Sequence, residues 1–349
     1  MRYPKFLKDN GTIGFVAPSF GCNIEPYKTA FENALNKFKR MGYHVQLGPN
    51  CYAGEGIGIS NTPVKCAAEL NAYYPSAEND VLISCGGGEL MCEVLSHIDF
   101  GALQEAEPKW YMGFSDNTNL TFLLTTLCDT ASIYGPCAAA YGMEPWHESV
   151  QDAFDLIRGR KLTMSGYDMW EKESLKDEEH PLAPYNVTEK RVLKLYGCDR
   201  GGVFGHVNEA RMSGRLIGGC MDCLVNILGT RFDHVSDFLE RYQEDGFIWF
   251  IEACDFNVMS IRRAMWQMDE AGWFQYVKGF MIGRPLQFGQ ELFGLDQYQA
   301  VLGIIEKYHV PVVMDVDLGH LSPMMPVICG SMGEVTVEGQ HIAVKMSLV

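Results

Sequence analysis

Basic charge is scarce in this 349-residue chain: 28 Lys and Arg stand against 44 Asp and Glu, a net charge of −16 with His neutral. A phosphate backbone or an anionic lipid surface needs a basic footprint, so nucleic acid and membrane are not expected partners. Long apolar runs are missing too. The N-terminus reads Met-Arg-Tyr-Pro-Lys-Phe-Leu-Lys-Asp, too charged for the core of a signal peptide, and no stretch could span a bilayer. Paired metal-ligand spacings are absent. Twelve cysteines are scattered, many singly in apolar runs, as at Cys85, Cys128, Cys254 and Cys329, which suits buried thiols in a reducing cytoplasm. Only Cys220-Met-Asp-Cys223 has CxxC spacing, and without a second pair no metal site is expected. There is no G-x-G-x-x-G and no Walker lysine, so no nucleotide cofactor is expected either.

What the chain does have is the composition of a globular protein, 47% hydrophobic and 12% aromatic, and a length that suggests two domains. The first half alternates strand and helix. Thr12–Pro18 reads as a buried strand and His44–Leu47, Val81–Cys85 and Trp110–Phe114 as further strands, with helices over Tyr27–Met41, Pro63–Tyr74, Glu89–Leu95 and Asn117–Cys128 between and after them. This alternation predicts a doubly wound parallel sheet over residues 1–168, whose site lies beyond the carboxyl ends of its strands.

Residues 169–190 break the pattern with the charged run Glu171-Lys-Glu-Ser-Leu-Lys-Asp-Glu-Glu-His-Pro, read as a solvated linker or loop. Residues 191–349 form a smaller, more β-rich α/β domain. Its expected parts are turns at Gly201-Gly202 and Gly218-Gly219, strands at Phe247–Ile251, Gly279–Ile282 and Pro311–Met314, helices over Asn257–Ala271 and Leu295–Tyr308, and a C-terminal hairpin around Gly339-Gln340.

Ser115 falls where an apolar strand gives way to a helix, in Tyr-Met-Gly-Phe-Ser-Asp-Asn-Thr. A serine at that corner can be a nucleophile, with backbone N–H groups at the helix start ready to hold an oxyanion. The G-x-S-x-G form of such an elbow is absent, since Asn117 replaces the last Gly, and Ser115 or Asp116 could equally be a helix cap. Gly86-Gly87-Gly88 follows another strand and could bring backbone N–H groups against an oxyanion or a carboxylate, or simply turn the chain. Glu252 and His320 each follow an apolar strand in the second half. With Ser115 they supply the residue types of a Ser–His–Glu relay, all at strand carboxyl ends.

These segments, taken in order, resemble the LD-carboxypeptidase family of serine peptidases, which includes muropeptide LD-carboxypeptidases and microcin C immunity proteins. The resemblance runs through Gly11-Thr-Ile-Gly-Phe-Val-Ala-Pro-Ser, Gly86-Gly87-Gly88, Gly113-Phe-Ser-Asp116, Gly214-Arg-Leu-Ile-Gly-Gly, Leu228-Gly-Thr230, Phe250-Ile-Glu252 and Gly319-His-Leu-Ser-Pro. It implies a flavodoxin-like, class I amidotransferase-like N-domain, a swivelling β/β/α C-domain and a homodimer. It also implies Ser115 as nucleophile, His320 as general base, Glu252 as its orienter, and the N–H groups of Gly87 and Asp116 as the oxyanion hole. Gly86 and Gly88 would then contact substrate.

A carboxypeptidase must also hold a free carboxylate, for which Arg262, Arg263 and Arg284 are candidates. The resemblance further implies that Trp170 could stack on a nucleobase, and that the substrate is an aminoacyl-nucleotide, a muropeptide or a short peptide. Two positions depart from the family pattern: Cys220 follows Gly218-Gly219 where Asn is common, and Cys254 replaces an acidic residue after Glu252. Competing classes are a cysteine amidotransferase using Cys137, which lacks a His-x-Glu partner, a periplasmic-type binding protein, and an inactive binding relative.

Overall fold

The computed structural model describes all 349 residues. They form two compact units, Met1–Lys161 with Glu173–Asn186 and Pro326–Ile328, and Leu162–Lys172 with Val187–Met325 and Cys329–Val349. The chain is mixed α/β with parallel sheet in both.

The first unit holds β1 (Thr12–Val16), α1 (Tyr27–Arg40), β2 (His44–Leu47), α2 (Pro63–Tyr73), β3 (Val81–Ser84), α3 (Phe100–Glu105), β4 (Trp110–Gly113), α4 (Thr118–Thr126), β5 (Ser132–Tyr134) and α5 (Glu148–Ile157). Its sheet runs in the order β2, β1, β3, β4, β5, then the late strand Val327–Cys329, and the pairings from β2 to β5 are all parallel. Strands covered on both faces should be apolar throughout; β3 and β4, Val-Leu-Ile-Ser and Trp-Tyr-Met-Gly, are buried at every residue. On α1 the buried Ala30, Phe31, Ala34, Leu35 and Phe38 recur at three- and four-residue spacing and pack on the sheet through Phe15. Gly42, at φ +91°, lets the chain turn out of that helix. The helix expected over Glu89–Leu95 is a 3₁₀ segment displaced to Met91–His97.

The second unit holds β6 (Thr163–Ser165), β7 (Met169–Trp170), β8 (Glu189–Lys190), β9 (Lys194–Cys198), β10 (Phe204–His206), β11 (Glu209–Cys220), α6 (Met221–Ile227), α7 (Val235–Arg241), β12 (Phe247–Glu252), α8 (Val258–Glu270), β13 (Val277–Gly283), β14 (Glu291–Leu292), β15 (Leu295–Asp296), α9 (Gln297–Ile305), β16 (Val312–Val316), β18 (Met332–Glu338) and β19 (His341–Ser347), β17 (Val327–Cys329) being the late strand of the first sheet. The second unit's main sheet has nine strands in the order β10, β9, β16, β13, β12, β11, β18, β19, β6, with β7–β8 and β14–β15 as separate two-stranded ribbons. The central four are parallel, and the flanking pairs are antiparallel. The C-terminal hairpin forms as expected, buried on alternate residues.

Two expectations need correcting. Gly218-Gly219 is not a turn but part of the 12-residue β11. A Cβ at 218 would run into the Phe250 carbonyl on β12, so glycine there permits close approach of two strands. The charged stretch after Met169 is a largely exposed loop whose ends pair as a short antiparallel ribbon, Met169 with Lys190 and Trp170 with Glu189. Residues 163–165, expected with the first domain, pair with β19 of the second unit.

Candidate active site

In the first unit the chemistry gathers beyond the carboxyl ends of β1, β3 and β4, on either side of the point where strand order reverses. Ser115 leaves β4 with φ +61°, a left-handed backbone that a non-glycine residue adopts at a cost of about 1–3 kcal/mol. That corner directs a side chain away from the sheet and starts the helical run that becomes α4. The Ser115 N–H donates to the Tyr134 hydroxyl at 3.2 Å. The first N–H groups of a helical run lack intrahelical acceptors.

Gly87 stands against the serine. A Cβ at 87 would lie 3.2 Å from Ser115 Cβ and 3.4 Å from Oγ, so glycine leaves the serine side chain uncrowded. Three consecutive glycines have no side chains to fix them, and neighbours do so instead. Gly86 O accepts from Ser84 Oγ at 3.0 Å and from Asn117 Nδ2 at 2.8 Å, while Gly87 O accepts from the Phe20 N–H at 2.6 Å.

The Asp116 carboxylate is buried and joins three loops. It accepts from Ser19 Oγ at 2.5 Å, the Met91 N–H at 3.0 Å and Asn119 Nδ2 at 3.0 Å. Burial outweighs these bonds and pushes its pKa up to about 6. Sequence reasoning read Asp116 only as a backbone donor or a cap. Ser19, Asn117 and Tyr134 went unread, since nothing in their local sequence signals contacts made from 19 to 97 residues away.

In the second unit Glu252 ends β12 and His320 follows β16, both at carboxyl ends of adjoining parallel strands around β13. His320 Nδ1 lies 2.9 Å from Glu252 Oε2, with side-chain exposures of 16% and 1%. A carboxylate can only accept, so Nδ1 carries the proton and Nε2 becomes the basic nitrogen. Burial alone would lower the His320 pKa, but the Glu252 charge and hydrogen bonds with Cys254 and Glu252 hold it well above 6.5. The Cys254 thiol is pushed up by burial, partly countered by His320.

Asp222, between the two cysteines of the CxxC spacing, accepts from the Cys254 and Asp255 N–H groups at 3.0 Å each, fixing the chain just beyond Glu252. All twelve cysteines are free thiols, and Cys137 is buried, its pKa raised to about 12 by that burial.

Arg284 is 1% exposed and lies 2.8 Å from Asp317. It donates to the Asp315 and Leu321 carbonyls, at 3.0 and 3.3 Å. Its guanidinium is 5.2 Å from the Trp170 ring centroid, and Trp170, 5% exposed, also meets Phe288 edge-on. Arg262 donates to the Gln299 carbonyl at 2.7 Å and Arg263 to Ser260 Oγ at 3.1 Å. The structure thus brings Ser115 together with Gly86, Gly87, Gly88 and Asp116 in one unit, and Glu252 with His320 in the other. No helix is long and apolar enough to cross a membrane.

A serine at a left-handed strand-to-helix corner of an α/β unit has the backbone form of a nucleophile elbow, a form that serine hydrolases use. The LD-carboxypeptidase N-terminal domain matches residues 13–135 and the C-terminal domain matches residues 213–335, together more than half of the chain. The chain therefore belongs to the LD-carboxypeptidase family and is a serine-type carboxypeptidase. A Treponema pallidum protein named as a carboxypeptidase is 25% identical over 97% of this chain and 94% of its own. The microcin C7 self-immunity protein of Escherichia coli is 22% identical over 95% of this chain and 92% of its own. A solved structure of that immunity protein with aspartyl sulfamoyl adenosine superposes with a TM-score of 0.81 at 20% identity, covering 99% of each chain.

Proposed function

We propose that the enzyme hydrolyses amides through a Ser115–His320–Glu252 triad, with the N–H groups of Gly87 and Asp116 as oxyanion donors. Ser115 Oγ attacks the amide carbonyl as His320 Nε2 takes its proton. The imidazolium then protonates the leaving nitrogen, and water clears the acyl-enzyme by the same route in reverse. Glu252 keeps the proton on Nδ1 and stabilises the imidazolium. The observation that carries this reading is the left-handed backbone of Ser115 with Gly87 facing its side chain and leaving it room. The first unit's strand order 2-1-3-4-5 supports the flavodoxin-like expectation for it. A swivelling second domain and a homodimer complete the reading.

For the substrate, an aminoacyl-nucleotide amide is the first choice, because the immunity protein it resembles has been solved with aspartyl sulfamoyl adenosine. A short peptide or muropeptide ending in a free carboxylate is the second, favoured by the burial of Trp170 under Arg284, which leaves less indole to stack on a base. A substrate carboxylate would have to compete with Asp317 for Arg284 and with the Gln299 carbonyl for Arg262, which weighs against both as its anchor.

The test is mass-spectrometric cleavage of an aminoacyl sulfamoyl adenosine beside a tetrapeptide muropeptide ending in D-Ala, with fluorophosphonate labelling of wild type and Ser115→Ala. Labelling and turnover lost together in Ser115→Ala are expected. Full turnover in that variant would overturn the mechanism, and labelling that persists on Cys137 would favour the amidotransferase reading.

A further inference from the structure

We infer that Asn117 is a positioning residue for the oxyanion hole: its carboxamide fixes the Gly86–Gly87 peptide and so aims the Gly87 N–H. The inference rests on the triad reading above and adds a residue to it.

The Gly86–Gly87 peptide is trans, since the cis bonds of the chain all precede proline. In a planar trans peptide the C=O of one residue and the N–H of the next point in opposite directions. Whatever holds the Gly86 carbonyl therefore sets the direction of the Gly87 N–H. Asn117 Nδ2 holds that carbonyl at 2.8 Å, beside the longer bond from Ser84 Oγ at 3.0 Å, and the same amide donates to Phe114 O at 3.1 Å. One buried carboxamide thus ties the glycine turn after β3 to the elbow after β4, the two segments that carry the proposed oxyanion donors.

An amide could do this in two orientations, only one of them useful. Tyr111 OH donates to Asn117 Oδ1, which leaves Nδ2 facing Gly86. Both residues are fully buried, so water does not compete. Gly113 makes the space: a Cβ there would stand 2.8 Å from both Cβ and Cγ of Asn117. A glycine at 117, as in a G-x-S-x-G elbow, would leave the Gly86 carbonyl without this tie. The departure from that pattern is where the positioning function lies.

The experiment compares wild type, Asn117→Leu, Asn117→Asp and Tyr111→Phe on whichever of the two substrates named above wild type cleaves. Turnover is counted per Ser115 titrated with the fluorophosphonate, so unfolded protein does not enter. Removing one oxyanion donor costs on the order of 10²–10³ in kcat. Asn117→Leu and Asn117→Asp, which keep side-chain size but not the donor to Gly86, are expected to lose about 10²-fold in kcat with KM within about threefold. Tyr111→Phe frees the amide to flip and is expected to lose about tenfold in kcat, again without a KM change.

If Asn117→Leu does not fold, Asn117→Asp and Tyr111→Phe decide. A kcat within about threefold of wild type in the folded Asn117 variants, or a loss confined to KM, overturns the inference. Failure of the triad reading looks different: wild type itself would show no Ser115 labelling.

Discussion

Gly319 lies directly over the Glu252 carboxylate: a Cβ at position 319 would stand 2.6 Å from Glu252 Oε2, the oxygen that meets His320. The residue also has φ +99°, which L side chains rarely adopt. The glycine before His320 therefore meets two needs together, a backbone turn and room for the pair. Gly319→Ala is expected to displace the carboxylate and lower kcat/KM by at least about 100-fold, approaching the loss seen when a triad histidine is wrongly oriented. Steady-state kinetics on folded variant checks this, and near-wild-type activity would show that the Glu252–His320 contact is not needed for turnover.

The same pair fixes a pH dependence. A general base works only when neutral, and Glu252 favours the protonated imidazole, so the His320 pKa stands well above 6.5. The acid limb of kcat/KM is expected to have its midpoint above the ordinary histidine value, with activity rising as pH rises through it. Glu252→Gln removes the charge that raises the pKa, so the limb should move to lower pH even as the plateau falls. A limb at the same pH in both proteins would remove His320 as the titrating base.

These contacts show how far local sequence reaches. The strands β1, β3 and β4 and the hairpin of β18 and β19 are readable because apolar runs and alternation are set by burial on one or both faces. Ser115, Glu252 and His320 were readable as candidates because each follows such a run. Gly218-Gly219 misled: paired glycines usually mark turns, yet here they let β11 approach β12, a need that only the partner strand reveals. Asn117 and Asp222 stayed hidden for a related reason. One stands where an elbow glycine would and the other between two cysteines, but the partners that matter are backbone groups 31 to 33 residues away. Arg284 reads in the sequence as a candidate anchor for a substrate carboxylate, because nothing near it announces Asp317 or Trp170.

Arg284 should matter for stability. It is buried with Asp317, whose other cation, Arg191, is farther away at 3.6 Å. Removing one partner of a buried ion pair typically costs about 3–5 kcal/mol, because the remaining charge is left without compensation. Arg284→Met is expected to lose that much in urea unfolding of the transition that includes the second unit. Its Trp170 emission should also change, since the guanidinium is 5.2 Å from the indole ring centroid. Unchanged stability would mean that Arg191 alone is enough to hold Asp317.

Glu69 offers a test in the first unit that does not depend on catalysis. Its carboxylate accepts the Ala17 N–H at 2.7 Å and the Asn50 N–H at 2.9 Å, joining the segments that follow β1 and β2. Burial outweighs those bonds and raises its pKa from 4.5 to about 7. The folded chain therefore binds this proton more tightly than the unfolded chain does. Its contribution to stability grows as pH falls through about 7 and is complete below about 4.5, amounting to roughly 3 kcal/mol. Other groups titrate over the same range, so the informative quantity is a difference. Glu69→Gln cannot take up the proton, and the Tm of wild type minus that of Glu69→Gln is expected to increase steadily from pH 8 to pH 5. Differential scanning calorimetry of both proteins across that range reads it directly, and a difference that stays flat would show that Glu69 ionises in the fold at its ordinary pKa.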